Sequence, residues 1–259
     1  MSKRGRRTAA GAAALGLVAL WAGARPAAAA EPVVVFAASS LTNVLQEAAT
    51  AFEQQTGVRV LVNVGASNSQ ARQIVQGAPA DVFCSADDPQ MDVVEHAGLV
   101  APGSRVVLTS NRLVVIVPFA RARTLQGPEQ LLDARFARIA VGDPAAVPVG
   151  VYTKAYLERA GLWDRLAPRL VPTVNVRAAL AAVDTGNADA AFVYATDARL
   201  ARRAAVAYAV PAGLAPPIRY PAAVTTGGMN REGGRRFLRF LRSAAGRAIF
   251  ARFGFAAVP

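Results

Sequence analysis

The chain has 259 residues, of which 53% are hydrophobic and 18% charged, and this composition excludes a disordered or fibrous protein. Its 29 basic and 17 acidic residues leave a formal charge of +12, a balance also found in proteins that bind nucleic acids or acidic membranes. A single cysteine, Cys84, and a single histidine, His96, exclude an internal disulfide, a cysteine-based metal site and most zinc or catalytic-triad chemistry.

Residues 1–30 have the three-part pattern of a secretory signal peptide. Four basic residues among the first eight precede the small and apolar run 9–24, and Ala28 and Ala30 fit the small-residue cleavage rule before Glu31. The alternative is an uncleaved membrane anchor, but the apolar run is shorter than the ~20 residues of a membrane span. We therefore expect removal of this segment on export, which lowers the formal charge from +12 to +7.

From Glu31 onward, short β-branched runs alternate with segments of helical periodicity. The first part of the chain contains three units, each a strand followed by a helix that ends at a glycine. Such a series predicts a parallel, doubly wound sheet. The predicted strands are 32–37, 58–64 and 80–85, and the predicted helices begin near residues 41, 67 and 88 and end at Gly57, Gly77 and Gly98.

A second series of strands and helices follows, and it predicts a second lobe. The predicted strands are 113–118, 138–142 and 190–194, and the predicted helices are 151–160 and 176–185. The proline-rich segment 211–222 predicts an irregular connection. We therefore predict an α/β protein in which the chain crosses between lobes near Asn111 and returns near Pro221. Lobe 1 would consist of residues 31–110 and 222–259, and lobe 2 of residues 111–221.

The C-terminal segment 231–250 predicts one amphipathic helix that packs on lobe 1. Its apolar residues repeat at helical spacing, and three arginines share the opposite face. Because neither interleaved aromatic residues nor a nucleic-acid-binding motif accompany them, these arginines are expected on a solvated face rather than on nucleic acid. The apolar residues are Phe237, Leu238, Leu241, Ala245 and Ala248, and the arginines are Arg235, Arg239 and Arg242.

Uncharged polar residues collect where predicted strands end and helices begin. In doubly wound sheets ligands bind at these junctions, close to unpaired N–H groups at helix N-termini. Hydroxyls, amides and N–H groups without a carboxylate or an obligatory cation suit a desolvated anion. The junction residues are Ser39, Ser40, 66–69, 148–150, Asn175, Val176 and Tyr194.

Each of these polar residues also has a structural alternative. Ser39, Ser40 and Asn175 are typical helix N-caps. Ser67 and Gln70 match a capping box, which would use the serine hydroxyl locally. Tyr194 could instead belong to the core, although a buried hydroxyl would still need a partner.

Three other reactive side chains are interpreted as structural. Asp143 precedes a proline and predicts a turn. Cys84 lies in a β-branched run without an evident base and predicts a small buried hydrophobic residue. His96 lies near a helix end beside Glu95, where the helix dipole favours it on the surface.

A series of motifs covers the chain from about Val33 to Phe255. They are Val35-Phe-Ala-Ala-Ser-Ser-Leu-Thr-Asn43, Ala71-Arg-Gln-Ile74, Gly77-Ala-Pro-Ala-Asp-Val-Phe83, Ser85-Ala-Asp87, Val141-Gly-Asp-Pro144, Val147-Pro-x-Gly-x-Tyr152, Val176-Arg177, Val193-Tyr194 and Phe250-x-x-Phe-Gly-Phe255. In order and spacing, this series resembles the periplasmic molybdate-binding proteins of ABC importers.

The resemblance implies a two-lobed class II periplasmic-binding-protein fold, with a doubly wound sheet and helices on both faces in each lobe. It implies that a molybdate or tungstate dianion binds in the interlobe cleft through its oxygens, with no direct metal ligation and no cofactor. It also implies a monomeric periplasmic protein whose partner is an ABC importer permease.

The resemblance places the ligand contacts on Ser40, Ser67, Val149, Val176 and Tyr194. It implies that the hydroxyls of Ser40, Ser67 and Tyr194 donate hydrogen bonds to the anion. Backbone N–H groups would add to them at Ser40, Ser67, Val149 and Val176.

Two other functions are alternatives to molybdate binding. A binding protein for another tetrahedral oxyanion, such as sulfate, would be favoured by arginine or aspartate at the cleft junctions, and neither occupies the five matched positions. A hydrolase that uses Ser40 or Ser67 would need a general base, and His96 has no visible route to either serine. We therefore expect a binding protein and not an enzyme.

Overall fold

The computed structural model describes residues 31–122 and 124–257, so the predicted signal peptide lies outside the described residues. The strands are β1 (Val33–Ala38), β2 (Val60–Gly65), β3 (Val82–Cys84), β4 (Val106–Asn111), β5 (Leu113–Pro118), β6 (Ile139–Gly142), β7 (Leu170–Thr173), β8 (Ala190–Tyr194), β9 (Ala204–Ala209) and β10 (Ile218–Val224). The helices are α1 (Thr42–Thr56), α2 (Ser67–Val75), α3 (Asp88–His96), α4 (Pro148–Arg159), α5 (Trp163–Leu166), α6 (Val176–Asp184), α7 (Ala195–Ala198), α8 (Arg231–Arg242) and α9 (Ala244–Arg252).

The strands form two five-stranded sheets of similar design. The first has the order β2-β1-β3-β10-β4 and the second the order β7-β6-β8-β5-β9. The predicted parallel pairing is confirmed for β1, β2 and β3 and recurs for β6, β7 and β8. It does not extend to β10 or β5, which run antiparallel to both of their neighbours. The chain enters each of these two strands directly from the other sheet, and it therefore arrives in the opposite direction.

The predicted irregular connection at 211–222 is wrong in its second half. Residues from Ile218 onward form β10, which lies between β3 and β4. The ladder shifts register between Tyr220 and Pro221, and a bulge of this kind tolerates a proline inside a sheet because the proline has no N–H to donate. The strand begins ahead of the predicted return to lobe 1 at residue 222, and the lobe boundaries themselves stay a prediction.

Besides β10, three further strands were not expected from the sequence, and these three lie at sheet edges. β4 closes one side of the first sheet, and β7 and β9 close the two sides of the second. Their side chains are only partly buried. An edge strand needs less apolar surface than a central one, so its pattern is weak.

The predicted single C-terminal helix is wrong in its second half, because it divides at Ser243. The hydroxyl of Ser243 accepts a hydrogen bond from the N–H of Gly246 at 3.2 Å and caps α9. The new helix direction leaves Ala245 and Ala248 exposed instead of buried. The first half behaves as predicted: α8 packs on the first sheet, Phe237, Leu238 and Leu241 are buried, and Arg235, Arg239 and Arg242 are exposed.

The structural interpretations of the three reactive side chains are confirmed. Cys84 is fully buried, and burial raises the pKa of its thiol to about 12. His96 is exposed in the last turn of α3. Asp143 accepts a hydrogen bond from the N–H of Ala145 at 2.9 Å in a turn. Among the described residues there is no helix of the length and apolarity that a membrane crossing requires, and no cluster of potential metal ligands.

Candidate functional site

A small cavity of about 10 Å³ lies between the two sheets, at the ends of their parallel strands. The elements of the first sheet supply one wall and those of the second sheet the other. All five predicted site residues line this cavity. Its lining residues are Ala38, Ser39, Ser40, Ala66, Ser67 and Ala86 on one side and Val147, Pro148, Val149, Val176 and Tyr194 on the other.

Three helices begin at the cavity wall. Ser67 is the first residue of α2, Val176 is the first residue of α6, and Val149 is the second residue of α4. N–H groups in the first turn of a helix have no acceptor within that helix, and they lie at the positive end of its dipole. The arrangement therefore directs N–H groups from both lobes toward one point, which suits an anion.

The start of α4 reaches the cavity because two glycines allow close packing against β6. A Cβ atom added to Gly150 would lie 1.9 Å from the carbonyl oxygen of Gly142, well inside contact distance. Only a residue without a side chain fits there. The glycine therefore fixes the position of the neighbouring Val149 N–H.

The hydroxyl of Ser67 is available to a ligand and does not serve as a cap. Its oxygen accepts a hydrogen bond from the backbone N–H of Ala86 at 3.0 Å. The capping-box alternative is wrong, because Ala66 is the N-cap residue and α2 has no side-chain cap. With its oxygen already accepting, Ser67 can donate its own proton into the cavity.

The hydroxyl oxygen of Ser40 also accepts a hydrogen bond from a residue outside the cavity lining. Tyr220 donates to its oxygen at 3.1 Å, and the short turn formed by Ser39 to Leu41 has no side-chain cap. The interpretation of Ser39 and Ser40 as helix N-caps is therefore wrong. The interpretation as an N-cap is confirmed for Asn175, whose side-chain oxygen accepts a hydrogen bond from the N–H of Ala178 at 2.9 Å.

The hydroxyl of Tyr194 has no hydrogen-bond partner among the described residues, although the residue is only 1% exposed. Burial raises the pKa of this phenol well above its ordinary value, so it keeps its proton at neutral pH. A buried polar group without a partner is rare and costs stability. Its position on the cavity wall makes a ligand the natural acceptor.

Within residues 31–122 and 124–257 no charged side chain lines the cavity, but an ion pair lies behind it. Arg177 Nε lies 2.5 Å from Oδ1 of Asp197, which is fully buried, and Arg177 Nη2 donates to the carbonyl oxygen of Ser40 at 3.4 Å. Burial raises the pKa of Asp197 to about 6, while the charge of Arg177 opposes this shift. Arg177 thus neutralises the carboxylate and joins α6 to the first lobe.

Several of these residues were missed from the sequence. The N–H of Ala86 supports Ser67, and Tyr220 supports Ser40, yet neither stood out as a site residue. Arg177 was visible only as the second residue of the Val-Arg motif. Tyr220 lay in the segment that was predicted to be irregular.

The size of the cavity restricts the class of ligand. Organic ligands of drug size need roughly 300–1,000 Å³, far more than this space. A larger cavity of about 600 Å³ lies between β4 and α9 and contains none of the predicted site residues. The cavity between the sheets is therefore too small for an organic ligand of that size.

The comparisons with known proteins agree with this geometry. Residues 33–256 match the family model described as bacterial extracellular solute-binding protein. The molybdate-binding protein ModA of Escherichia coli is 38% identical, with 86% of this chain and 88% of that protein covered. ModA of Haemophilus influenzae is 34% identical, with 89% and 92% covered. The structure of the periplasmic molybdate-binding protein of Azotobacter vinelandii aligns with a TM-score of 0.77 at 26% identity, with 88% and 100% covered.

Proposed function

Because the chain belongs to the family of bacterial extracellular solute-binding proteins that includes the molybdate-binding ModA proteins, we propose that its interlobe cavity binds molybdate, and tungstate through the same contacts. The main support is the cavity wall, where hydroxyls and helix N-termini from both lobes surround a space for a compact ion. The proposed contacts are Ser40, Ser67, Val149, Val176 and Tyr194.

Hydrogen bonds replace the hydration shell of the anion. A tetrahedral dianion has four oxygens that accept hydrogen bonds, and bonds to a charged group contribute roughly 1.5–3 kcal/mol each. The hydroxyls of Ser40, Ser67 and Tyr194 supply side-chain donors. Helix N-termini add backbone donors without introducing a positive side chain. A wall of donors rejects an oxyanion that carries its own proton, since that proton would meet no acceptor.

The protein would deliver its ligand to the membrane permease of an ABC importer. Donors from both lobes favour the closed form when the anion is bound, and a permease can distinguish that form. After removal of residues 1–30 the protein would act in the periplasm as a monomer. Catalysis is not expected of this site, because the described partners of the Ser40 and Ser67 hydroxyls are Tyr220 and the N–H of Ala86, neither of them a general base, and His96 is exposed on α3.

The ligand is tested by thermal melting of the mature protein with molybdate, tungstate, sulfate and phosphate. A ligand present at about 100 times its dissociation constant adds about 2.7 kcal/mol to the free energy of unfolding. We expect molybdate and tungstate to raise the Tm, and sulfate and phosphate to have little effect. No increase with either molybdate or tungstate would refute the proposal, and an increase with sulfate alone would support the sulfate alternative.

Tyr194→Phe should separate binding from stability. The substitution removes a hydroxyl that has no hydrogen-bond partner in the described part of the chain, so the Tm of the free protein should stay unchanged or rise slightly. The dissociation constant for molybdate should increase about tenfold, because one hydrogen bond to the ligand is lost. Calorimetric titration and melting of the same sample measure both quantities. Unchanged affinity would show that this hydroxyl does not contact the anion.

A further inference from the structure

We propose that Asn111 and Tyr220, which do not line the cavity, set the direction of the Ser40 hydroxyl and thereby exclude protonated oxyanions. The proposal rests on the proposed function, because it assigns two positioning residues to the same site. Asn111 ends β4 where the chain leaves the first sheet, and Tyr220 lies in the returning strand β10. Hydrogen bonds run from Asn111 through Tyr220 to Ser40.

The amide of Asn111 has one orientation in this network. The backbone N–H of Arg112 donates to its Oδ1 at 2.9 Å. The opposite side of the amide, Nδ2, therefore carries the hydrogens, and it donates to Thr196 Oγ1 at 2.8 Å and to Tyr220 Oη at 3.2 Å. Because an amide nitrogen is only a donor, Asn111 cannot accept the proton of Tyr220.

The proton of Tyr220 must then point to Ser40. Tyr220 is fully buried, and burial raises the pKa of its phenol, so the proton stays on Oη. Its neighbour Ser40 Oγ lies 3.1 Å away and accepts this proton. The proton of Ser40 is left to point into the cavity, and the serine presents a donor to the ligand.

The hydroxyl of Ser67 also points its proton into the cavity, but a backbone group and not a side chain fixes its direction. Its oxygen accepts from the backbone N–H of Ala86, which no substitution of a side chain reverses. The direction of Ser40, in contrast, depends on two side chains. An oxyanion that presents an O–H to Ser40 places two donors against each other, which should reduce its affinity about tenfold or more.

The decisive variant is Asn111→Asp, which keeps the shape of the side chain and reverses the chain of hydrogen bonds. The new carboxylate only accepts, so it takes the proton of Tyr220. Tyr220 then accepts from Ser40, and Ser40 presents a lone pair to the cavity. A second variant, Tyr220→Phe, removes the donor that directs Ser40 and leaves its hydroxyl free to rotate.

The affinities for molybdate and hydrogen arsenate are measured by titration at about pH 8. Both ions are tetrahedral dianions of similar size, and only hydrogen arsenate carries an O–H. The added charge of Asn111→Asp therefore acts equally on both ions. The ratio of the affinity for molybdate to the affinity for hydrogen arsenate then reports the direction of the Ser40 hydroxyl. We expect this ratio to fall about tenfold or more in Asn111→Asp. In Tyr220→Phe the affinity for molybdate should fall about tenfold, and the ratio should fall as well.

Tyr156→Phe is the matched control, because Tyr156 is a buried tyrosine whose hydroxyl is bonded to Tyr208 at 3.2 Å, away from the cavity lining. Its ratio should equal that of the wild type. If wild type binds molybdate and both test variants keep the ratio within about twofold, the proposal is overturned, even if their affinity falls. If Tyr220→Phe does not fold, Asn111→Asp decides alone. Failure of the wild type to bind molybdate would instead refute the proposed function.

Discussion

Replacing Ser67 with alanine should lower the affinity for molybdate about 100-fold, whereas Ser69→Ala should leave it nearly unchanged. Ser67 is buried in the cavity wall, and Ser69 is exposed two residues further along α2. Ser67→Ala removes a donor to the anion. It also leaves the buried N–H of Ala86 without its acceptor, and such a loss carries a desolvation cost of about 1–3 kcal/mol.

Calorimetric titration of the two variants measures this difference. Ser69→Ala is a matched control, because it changes the same residue type in the same helix. The melting temperature of the free protein should fall in Ser67→Ala alone, since only that variant loses an internal hydrogen bond. The opposite order of affinities would show that Ser69 supplies the hydroxyl to the ligand, and equal affinities would remove this helix from the proposed contacts.

The central strands and their helices could be predicted from the sequence because both of their signals are local. β3 and β8 are buried along their whole length, β1 is buried at every position except Val34, and all three produce continuous apolar runs. The helices end at glycines that adopt positive φ, such as Gly57 at 71°. The unexpected edge strands β4, β7 and β9 lack a continuous run of buried apolar residues. Pro221 obscured β10, because a proline usually argues against a central strand and the bulge that accommodates it has no sequence signature.

The positions of the candidate site residues could be predicted from the sequence, but the hydrogen bonds that orient their hydroxyls could not. Strand-to-helix junctions of parallel strands lie at one end of a sheet, so Ser40 and Ser67 of the first sheet could be brought together by topology alone. The groups that direct them are distant in sequence: Tyr220 and Ser40 are 180 residues apart. A contact of this kind depends on the insertion of β10 between β3 and β4 of the first sheet, a long-range pairing that periodicity does not encode.

The formal charge of +12 has little to do with the site itself. The arginines Arg235, Arg239 and Arg242 lie on the exposed face of α8, and none of the described charged residues lines the cavity. Positive charge at a distance increases the rate at which an anion encounters the protein. Selection between anions depends on short-range hydrogen bonds, which the neutral wall supplies. The encounter rate and the selection between anions are therefore separable, because only the encounter rate falls at high ionic strength.

Gly150→Ala should reduce the free energy of unfolding by about 3 kcal/mol and lower the affinity for molybdate more than tenfold. In an ordinary helix the same substitution stabilises by up to about 1 kcal/mol, because alanine has the higher helix propensity. Here the new Cβ would lie 1.9 Å from the carbonyl oxygen of Gly142. The three nearest atoms all belong to the backbone of Gly142 and Asp143, so no flexible side chain can move aside and the steric cost exceeds the gain in propensity.

Relief of this clash moves the start of α4 away from β6, and with it the N–H of Val149. Denaturant unfolding and calorimetric titration measure the two expected losses. Gly227→Ala is the control, because its Cβ would meet no atom within 4 Å and its stability and affinity should match the wild type. Stability lost with full affinity for molybdate would mean that the position of α4 does not matter to the anion, and Val149 would then leave the set of proposed contacts.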